Sequence, residues 1–198
     1  MNSLLARCAS ALVLIAPVMS RAADAPALDP AKLVIEHTEA AVKIGPLSFV
    51  GRQTTMAEIE TALGKPDRVV EEGRYIRYCY DRLGLRFEHP VKATTNGVEA
   101  SIFFVGKLTP EEEAVMGAVP KQAFPGVLRI RGVEFKAPCK AKDVYTKLNP
   151  LFTREEASPG NDQFGNSIRR FGNCRTTFHF RQGTGDVFSV SLGGAIPK

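Results

Sequence analysis

The sequence predicts an α+β protein of two tandem repeats, each a short helix packed on an antiparallel β-meander. Three observations lead to this prediction: a capped amphipathic helix near residue 55, strand-like runs directly after it, and the same order of elements in the second half. Matched positions in the two halves stay about 85 to 91 residues apart. The alternative is that two small α+β units look alike because patterned sequences look alike.

The N-terminus has the pattern of a secretory signal peptide. Arg7 precedes an apolar run at residues 9–19, and small residues follow this run. The run is shorter than the roughly 20 apolar residues that span a bilayer, so we expect cleavage near Ala23 or Ala25 rather than a membrane anchor. We therefore predict a signal peptide at residues 1–23 and a periplasmic or secreted protein that has no transmembrane segment after cleavage.

The charge of the mature chain argues against nucleic acid as a partner. Removing residues 1–23 lowers Lys+Arg from 26 to 24 against an unchanged Asp+Glu of 21, which leaves a net charge of about +3. Export also separates the protein from cellular RNA and DNA. The roughly 175 remaining residues are enough for one large domain or two small ones with a real core.

A capping box opens the helix of the first predicted repeat, residues 24–106. The Thr55 side chain is expected to accept from the backbone N–H of Glu58, and Glu58 to reach back to the cap residue. Gly64 and Pro66 then end the helix. Its apolar residues fall on one stripe, as expected for a helix that docks onto a sheet: Met56, Ile59 and Leu63.

Three strand-like runs follow this helix and predict an antiparallel meander. They are separated by a short turn and by a polar loop that contains the turn signal Asn96-Gly97. The runs are "RYIRYCYD", "LGLRFEH" and "VEASIFFVG".

The linking region, residues 107–126, and the second repeat, residues 127–198, complete the predicted organisation. Thr109 and Pro110 predict a cap and a first helical residue for a short linking helix. In the second repeat, "KAKDVYTKLNP" parallels the first helix. Three further strand-like runs follow it: "NSIRRFGN", "CRTTFHFR" and "DVFSVSLGG".

Two known groups of exported proteins resemble this organisation. The stretch "VGRQTTMAEIETALGKPDRV", followed by a meander, resembles the small domains of the SmpA/OmlA outer-membrane assembly lipoproteins, and the tandem arrangement resembles that of the β-lactamase inhibitory proteins. The phrases "YDRLGLRFEH" and "FPGVLRIRG" look like an uncharacterised proteobacterial exported family. The resemblance implies a binding or assembly role. This chain lacks a lipobox cysteine, however, and its second repeat lacks the Thr-x-x-Glu box.

The usual patterns of catalytic and metal sites are missing from the sequence. The chain has three histidines and no C-x-x-C or H-x-x-x-H spacing, which predicts no metal site and no cofactor. No G-x-S-x-G elbow is present; Ser189 and Ser191 alternate along a strand, and Cys79 lies in an apolar run. We therefore predict a protein that is not an enzyme, with a hydrolase whose site is not recognisable from sequence as the alternative.

Three cysteines remain after cleavage, which predicts one disulfide in an oxidising compartment. Cys139 lies in a proline-containing turn and Cys174 follows Gly172-Asn173, so we predict a bond between Cys139 and Cys174. Cys79 is then buried, reactive or bonded to another chain.

The stretch "GRYIRYCYDRLGLRF" predicts a contact surface for a protein or a cell-envelope component. Exposed tyrosine and arginine are enriched at binding hot spots, and the candidate binding residues are Arg74, Tyr75, Arg77, Tyr78 and Phe104. Period-two alternation turns Ile76, Tyr78 and Tyr80 toward the helix and leaves Tyr75 and Arg77 as the exposed pair. The alternative is that the two layers close on each other and the tyrosines simply pack.

Overall fold

The computed structural model describes residues 28–38, 41–92, 97–153, 157–160, 166–171, 174–181 and 183–193. The predicted signal peptide, residues 1–23, lies outside this part of the chain. Within the described residues, no helix is both long enough and apolar enough to cross a membrane. The described elements form two sheets and three short helices, which confirms the predicted α+β class.

The three helices are α1, Met56–Leu63; α2, Pro110–Met116; and α3, Ala141–Leu148. Helix α1 begins with the predicted capping box, in which the Glu58 carboxylate accepts from the Thr55 backbone N–H at 2.7 Å. Thr109 and Glu112 form the same box at the start of α2. Because a capping box satisfies backbone N–H groups that the helix itself leaves unpaired, four local residues fix each start.

The strands, in chain order, are β1, Val34–His37; β2, Val42–Ile44; β3, Leu47–Phe49; β4, Arg68–Glu72; β5, Tyr75–Tyr80; β6, Leu85–Pro90; β7, Glu99–Phe103; β8, Val127–Ile130; β9, Val133–Phe135; β10, Ala157–Gly160; β11, Asn166–Phe171; β12, Cys174–Phe180; and β13, Val187–Gly193.

A five-stranded sheet has the order β3-β2-β1-β8-β9. Strands β1 and β8 run parallel, with Ile35 opposite Leu128, and the other pairs are antiparallel. The hairpin β2-β3 of the first half and the hairpin β8-β9 of the second half therefore lie on opposite sides of β1.

An eight-stranded antiparallel sheet has the order β10-β11-β12-β13-β7-β6-β5-β4. Each half of the chain supplies four consecutive strands, and the two sets meet where β7 pairs with β13 and Ser101 lies opposite Ser191. The sequence predicted three strands after α1, whereas the structure has four. The additional strand is β4, where Val69 is 58% exposed and the alternation of apolar and polar residues is correspondingly weak.

The main core lies between the two sheets. It contains buried residues of both sheets and of the helices α1 and α3, and the helices contribute Ile59, Leu63, Val144 and Leu148. Phe87 of the eight-stranded sheet lies 6.0 Å from Phe49 of the five-stranded sheet and 5.6 Å from Tyr80, measured between ring centroids. Aromatic pairs at such distances stabilise a core beyond the area that they bury.

A second, smaller apolar cluster lies on the other face of the eight-stranded sheet. Phe103, Leu108 and Phe188 form it, and Met116 and Val119 of the linking region pack against it. Because successive side chains of a strand alternate between faces, Phe103 points away from the main core that Ile102 and Phe104 enter. The linking region from Leu108 to Val119 therefore packs on the side of the sheet where we expected Arg77 to be exposed, whereas Phe124 enters the main core.

Candidate functional site

We call the face of the eight-stranded sheet that points away from the main core the outer face. Residues directly opposite each other on neighbouring strands share a face. Arg86 of β6 lies opposite Ser101 of β7, and Ser101 lies opposite Ser191 of β13. Arg77 of β5 lies opposite Glu88 of β6 on the same face. The outer face therefore carries a row of charged and hydroxyl side chains across the join between the two halves.

A groove of about 260 Å³ lies on this row. Arg86, Ser101 and Ser191 line it, together with Tyr75 of β5 and Val115 of α2. Tyr75 and Val115 are 38% and 52% exposed, and they are two of six exposed large apolar side chains in the described part of the chain. The groove is smaller than the roughly 300–1,000 Å³ of a typical small-molecule pocket, so its size suits one or two side chains.

Two arginines in the groove share one carboxylate. Arg77 donates through Nε to Glu88 Oε2 at 3.1 Å, and Arg86 Nη2 lies 3.4 Å from the same oxygen. Arg77 also donates through Nη1 to Glu72 at 2.6 Å. Gly117 has a φ of 64°, and a side chain there would overlap Arg77 and Glu72. The end of α2 can therefore lie this close to the two side chains only because residue 117 is a glycine.

Arg86 is almost completely buried, at 3% exposure. Its Nη1 donates to the carbonyl oxygens of Met116 at 2.6 Å and Ala118 at 3.2 Å, and its guanidinium lies 5.1 Å from the centre of the Phe103 ring. Its Nε has no hydrogen-bond partner among the described residues. Burial lowers the pKa of Arg86, and the nearby Glu88 carboxylate opposes this shift. The environment of this cation therefore consists largely of carbonyl dipoles and the face of an aromatic ring.

Two further arginines fix the linking region to the sheet. Arg68 binds both carboxylate oxygens of Asp81, at 2.8 and 2.9 Å, and donates to the Val119 carbonyl at 2.7 Å. Arg181 binds both oxygens of Glu112, at 2.7 and 2.9 Å. The hydrogen bond from Arg68 holds the pKa of Asp81 below its ordinary value. Because bidentate pairs also fix orientation, these contacts set the position of α2 over the groove.

A serine and a histidine are hydrogen-bonded in the same groove. Ser191 Oγ lies 3.0 Å from His179 Nε2, and the His179 ring lies 5.9 Å from that of Phe188. A hydroxyl beside an imidazole is the geometry from which a base can activate a nucleophile. In the sequence, Ser191 is recognisable only as part of an alternating strand.

The predicted binding residues at positions 74–78 divide between the two faces. Arg74 and Tyr75 are exposed, and Tyr75 lines the groove. Arg77 also lines the groove, but it is only 7% exposed because it is bound by two carboxylates, so its prediction as an exposed residue was wrong. Tyr78 packs against the main core, and its hydroxyl lies 3.2 Å from His89 Nε2.

Phe104 does not belong to the contact surface that we predicted for it. It is 2% exposed and lies 6.4 Å from Phe124 between ring centroids, inside the main core. The reason is that Phe104 directly follows β7 and continues the alternation of that strand, which sends Phe103 to the outer face and Phe104 inward.

The predicted disulfide is not formed in the structure, where Cys139 is a buried free thiol. The Cys139 carbonyl accepts from Val187 N–H at 2.8 Å, and Val187 pairs with Phe180 at one end of β12. Cys174 starts the same strand six residues before Phe180, and at roughly 3.3 Å per residue it lies about 20 Å from the Phe180 end. The Cα atoms of bonded cysteines lie within about 7 Å of each other. Burial raises the pKa of Cys139 to about 11 and also raises that of Cys79.

Several groove residues were not among the predicted site residues: Arg86, Ser101, Arg175, His179 and Ser191. The alternation in "LGLRFEH" and "VFSVSLGG" could have placed single residues on a common side of each strand. The pairing of β7 with β13 joins residues about 90 positions apart, however, and no local pattern specifies it. In the described residues, no cluster of three or more His, Cys, Asp or Glu side chains could hold a metal ion.

Fold and groove together define an α+β protein with a polar groove on its larger sheet. A family described as a domain of unknown function, DUF7738, matches residues 47–144, from β3 into α3. The chain is similar to that family over just under half of its length. No curated protein matches the chain.

Two solved structures are distantly similar to the chain. A DUF4309 family protein, YjgB from Bacillus subtilis subsp. subtilis str. 168, is 14% identical with a TM-score of 0.43, over 76% of this chain and 84% of YjgB. A cysteine-rich secretory protein, SAV1118 from Staphylococcus aureus subsp. aureus Mu50, is 11% identical with a TM-score of 0.41, over 81% of this chain and 50% of SAV1118. Neither likeness bears on function.

Proposed function

We propose that the protein is a non-catalytic exported binding protein that holds a polypeptide partner in the groove of the outer face. The observation that carries this proposal is the pair Tyr75 and Val115, two exposed apolar side chains from separate elements that line one arginine-containing groove. Tyrosine and arginine combine a large contact area with hydrogen-bonding groups and are enriched at binding hot spots. The signal-peptide pattern at residues 1–23 supports a periplasmic location.

In the proposed tandem repeat, the groove lies where the two repeats meet. Each half has a hairpin, a helix and four antiparallel strands in the same order, and the two sets of strands meet at β7 and β13. The groove takes residues from both sets, since Tyr75 and Arg86 belong to the first half and Arg175 and Ser191 to the second. A binding surface at the join would then exist only when both repeats are folded.

Site-specific photo-crosslinking tests the proposed function. A photoreactive phenylalanine analogue replaces Tyr75 in one variant and Val115 in another, and cells that export the protein are irradiated before analysis. Tyr145 and Leu151, each 38% exposed and outside the groove lining, are the matched control positions. We expect positions 75 and 115 to cross-link the same partner and positions 145 and 151 to leave it unlabelled.

The proposal fails if position 75 and position 115 give no cross-link, or if all four positions label the same set of proteins equally. The identity of the cross-linked partner also tests the accessory role in outer-membrane assembly that the SmpA/OmlA resemblance implies. An outer-membrane assembly component at positions 75 and 115 would support that role.

Hydrolysis is the second candidate function, and the hydrogen bond between Ser191 and His179 favours it. A serine activated in this way is labelled covalently by a fluorophosphonate probe, and the label is lost in Ser191→Ala and reduced in His179→Gln. Labelling that maps to Ser191 would replace the non-catalytic proposal. We expect the wild type and Ser189→Ala, which keeps Ser191, to show no labelling above that of Ser191→Ala.

A further inference from the structure

The groove contains two buried arginines whose carboxylate partners are themselves partly exposed. Arg77 and Arg86 are 7% and 3% exposed, and both contact a single oxygen of Glu88. Glu72, the other partner of Arg77, has a side chain that is 51% exposed. A buried charge is tolerated when it is paired, and removing or lacking a partner is costly. Two buried guanidinium groups therefore share the partly buried Glu88, and Arg77 has the half-exposed Glu72 as its second partner.

A third arginine extends this positive region across the join of the sheet. Arg175 of β12 is exposed and passes over Gly193, where its Nε lies 3.3 Å from the position that a side-chain carbon would occupy. No carboxylate contact of Arg175 is found among the described residues. Glu99 also lines the groove, at its exposed edge, so the lining has three arginines against two glutamates.

Hydroxyl donors lie between these arginines. Ser101 and Ser191 are directly opposed at the centre of the groove lining, and both belong to strands at the join of the two halves. Guanidinium and hydroxyl groups are the donors that carboxylates accept from, and charge-assisted hydrogen bonds are about twice as strong as neutral ones. The chemistry of the lining therefore matches a carboxylate.

We infer that the groove receives an acidic side chain, Asp or Glu, that projects from an extended segment of a polypeptide partner. This inference rests on the proposed function and specifies what the binding groove recognises. A side chain rather than a free small molecule fits a space of about 260 Å³. Tyr75 and Val115 give the residues on either side of the acid an apolar surface to cover.

The test compares two capped pentapeptides, acetyl-Ala-Leu-Glu-Leu-Ala-amide and its Gln counterpart. They differ only in that the central side chain ends in a carboxylate in one and in an amide in the other. Each is titrated into the ¹⁵N-labelled mature protein at low salt while amide resonances are followed. We expect the Glu peptide to shift Ser101, Ser191 and Arg175 saturably. We expect the affinity for the Gln peptide to be at least about tenfold lower, because the charge-assisted hydrogen bonds are lost.

Two arginine variants separate the groove from general charge effects. Arg175→Gln should weaken the Glu peptide about tenfold and leave the Gln peptide unchanged, since Arg175 carries no structural ion pair in the described part of the chain. Arg82→Gln makes the same charge change at a residue that is 70% exposed and outside the groove lining, and it should change neither peptide. Arg175→Gln avoids Arg86, whose loss would also release the linking region.

Each other outcome overturns the inference. Equal affinity for the Glu and Gln peptides would refute the preference for an acidic side chain but would still support polypeptide binding. No shift with either peptide would refute the inference, and the cross-linking experiment would then decide the proposed function separately. Equal shifts with sodium glutarate alone would indicate a small-anion site. A dimer in sedimentation velocity that Arg175→Gln abolishes would make a second copy of the chain the occupant.

Discussion

The two faces of the eight-stranded sheet are both buried near its centre, but by different chemistry. On the core face, Phe87 and Ile102 are fully buried among apolar side chains. On the outer face, Arg77 and Arg86 are nearly as buried, yet their neighbours are carboxylates, carbonyl oxygens and one aromatic ring each. An antiparallel sheet commonly leaves its second face to solvent. Here the linking region covers part of that face and leaves a polar groove beside it, so burial alone does not distinguish the apolar core from the proposed binding surface.

The first prediction tests the core face, where the largest loss is expected. Phe87→Ala removes a ring that lies 6.0 Å from Phe49 and 5.6 Å from Tyr80 and leaves a cavity between the two sheets. We expect the free energy of unfolding in urea to fall by about 3–5 kcal/mol. Val91→Ala, at a position that is 41% exposed, is the control and should cost less than about 0.5 kcal/mol. A loss below about 1 kcal/mol for Phe87→Ala would show that this face is not the main core.

The second prediction tests the outer face through its buried cation. Arg86→Met keeps much of the side-chain volume but leaves the Met116 and Ala118 carbonyls without their donor. We expect unfolding free energy to fall by about 2 kcal/mol, less than at Phe87, because the replacement also removes the cost of burying a charge. Hydrogen exchange should accelerate in residues 110–119 more than in α1. Uniform acceleration in both regions would mean that Arg86 supports the whole fold rather than the linking region.

The same contrast explains which parts of the fold the sequence predicts. The starts of α1 and α2 follow from Thr55 and Thr109, because a capping box depends on residues only three positions apart. The inward direction of Tyr80 also follows from alternation, and its hydroxyl donates to the Gly64 carbonyl at the end of α1. These features are local, and local patterns specify them.

Features of the outer face depend on contacts between distant segments, and the sequence does not predict them. Phe103, the last residue of β7, is buried because the linking region covers the face that it enters, whereas Phe104, the next residue, is buried in the main core. No local pattern indicates which of these adjacent phenylalanines faces the main core, so the sequence alone could not correct the choice of Phe104 as an exposed residue. Likewise, the burial of Arg77 requires carboxylates from β4 and β6, which only the strand register brings together.

The third prediction concerns a buried polar contact between the two sheets. His37 of β1 is 2% exposed, and its Nδ1 lies 3.0 Å from Thr176 Oγ1 of β12, between the two sheets. Burial, assisted by the positive charge of Arg131, lowers the pKa of His37 to about 4. The unfolded chain binds a proton near pH 6.5 and the folded protein does not, so stability is complete above that pH and falls as the pH falls toward 4.

Between pH 7 and pH 5 this histidine should cost about 2 kcal/mol of unfolding free energy. Urea unfolding at both pH values, on the wild type and on His37→Gln, isolates its share, because the other titrating groups are common to both proteins. We expect a steeper pH dependence in the wild type. Equal slopes in the two proteins would show that His37 titrates normally despite its burial.

The smallest effect, and the sharpest comparison of the two faces, comes from the matched helix caps. Thr55→Ala and Thr109→Ala each remove one capping hydroxyl and should each weaken a helix start by about 1 kcal/mol. Helix α1 inserts Ile59 and Leu63 into the main core, whereas α2 rests on the small cluster of the outer face. Thr55→Ala should therefore lower the global unfolding free energy, while Thr109→Ala should mainly accelerate hydrogen exchange within α2. If Thr109→Ala lowers global stability as much as Thr55→Ala does, the linking region is an integral part of the main fold, and the separation of the two faces must be abandoned.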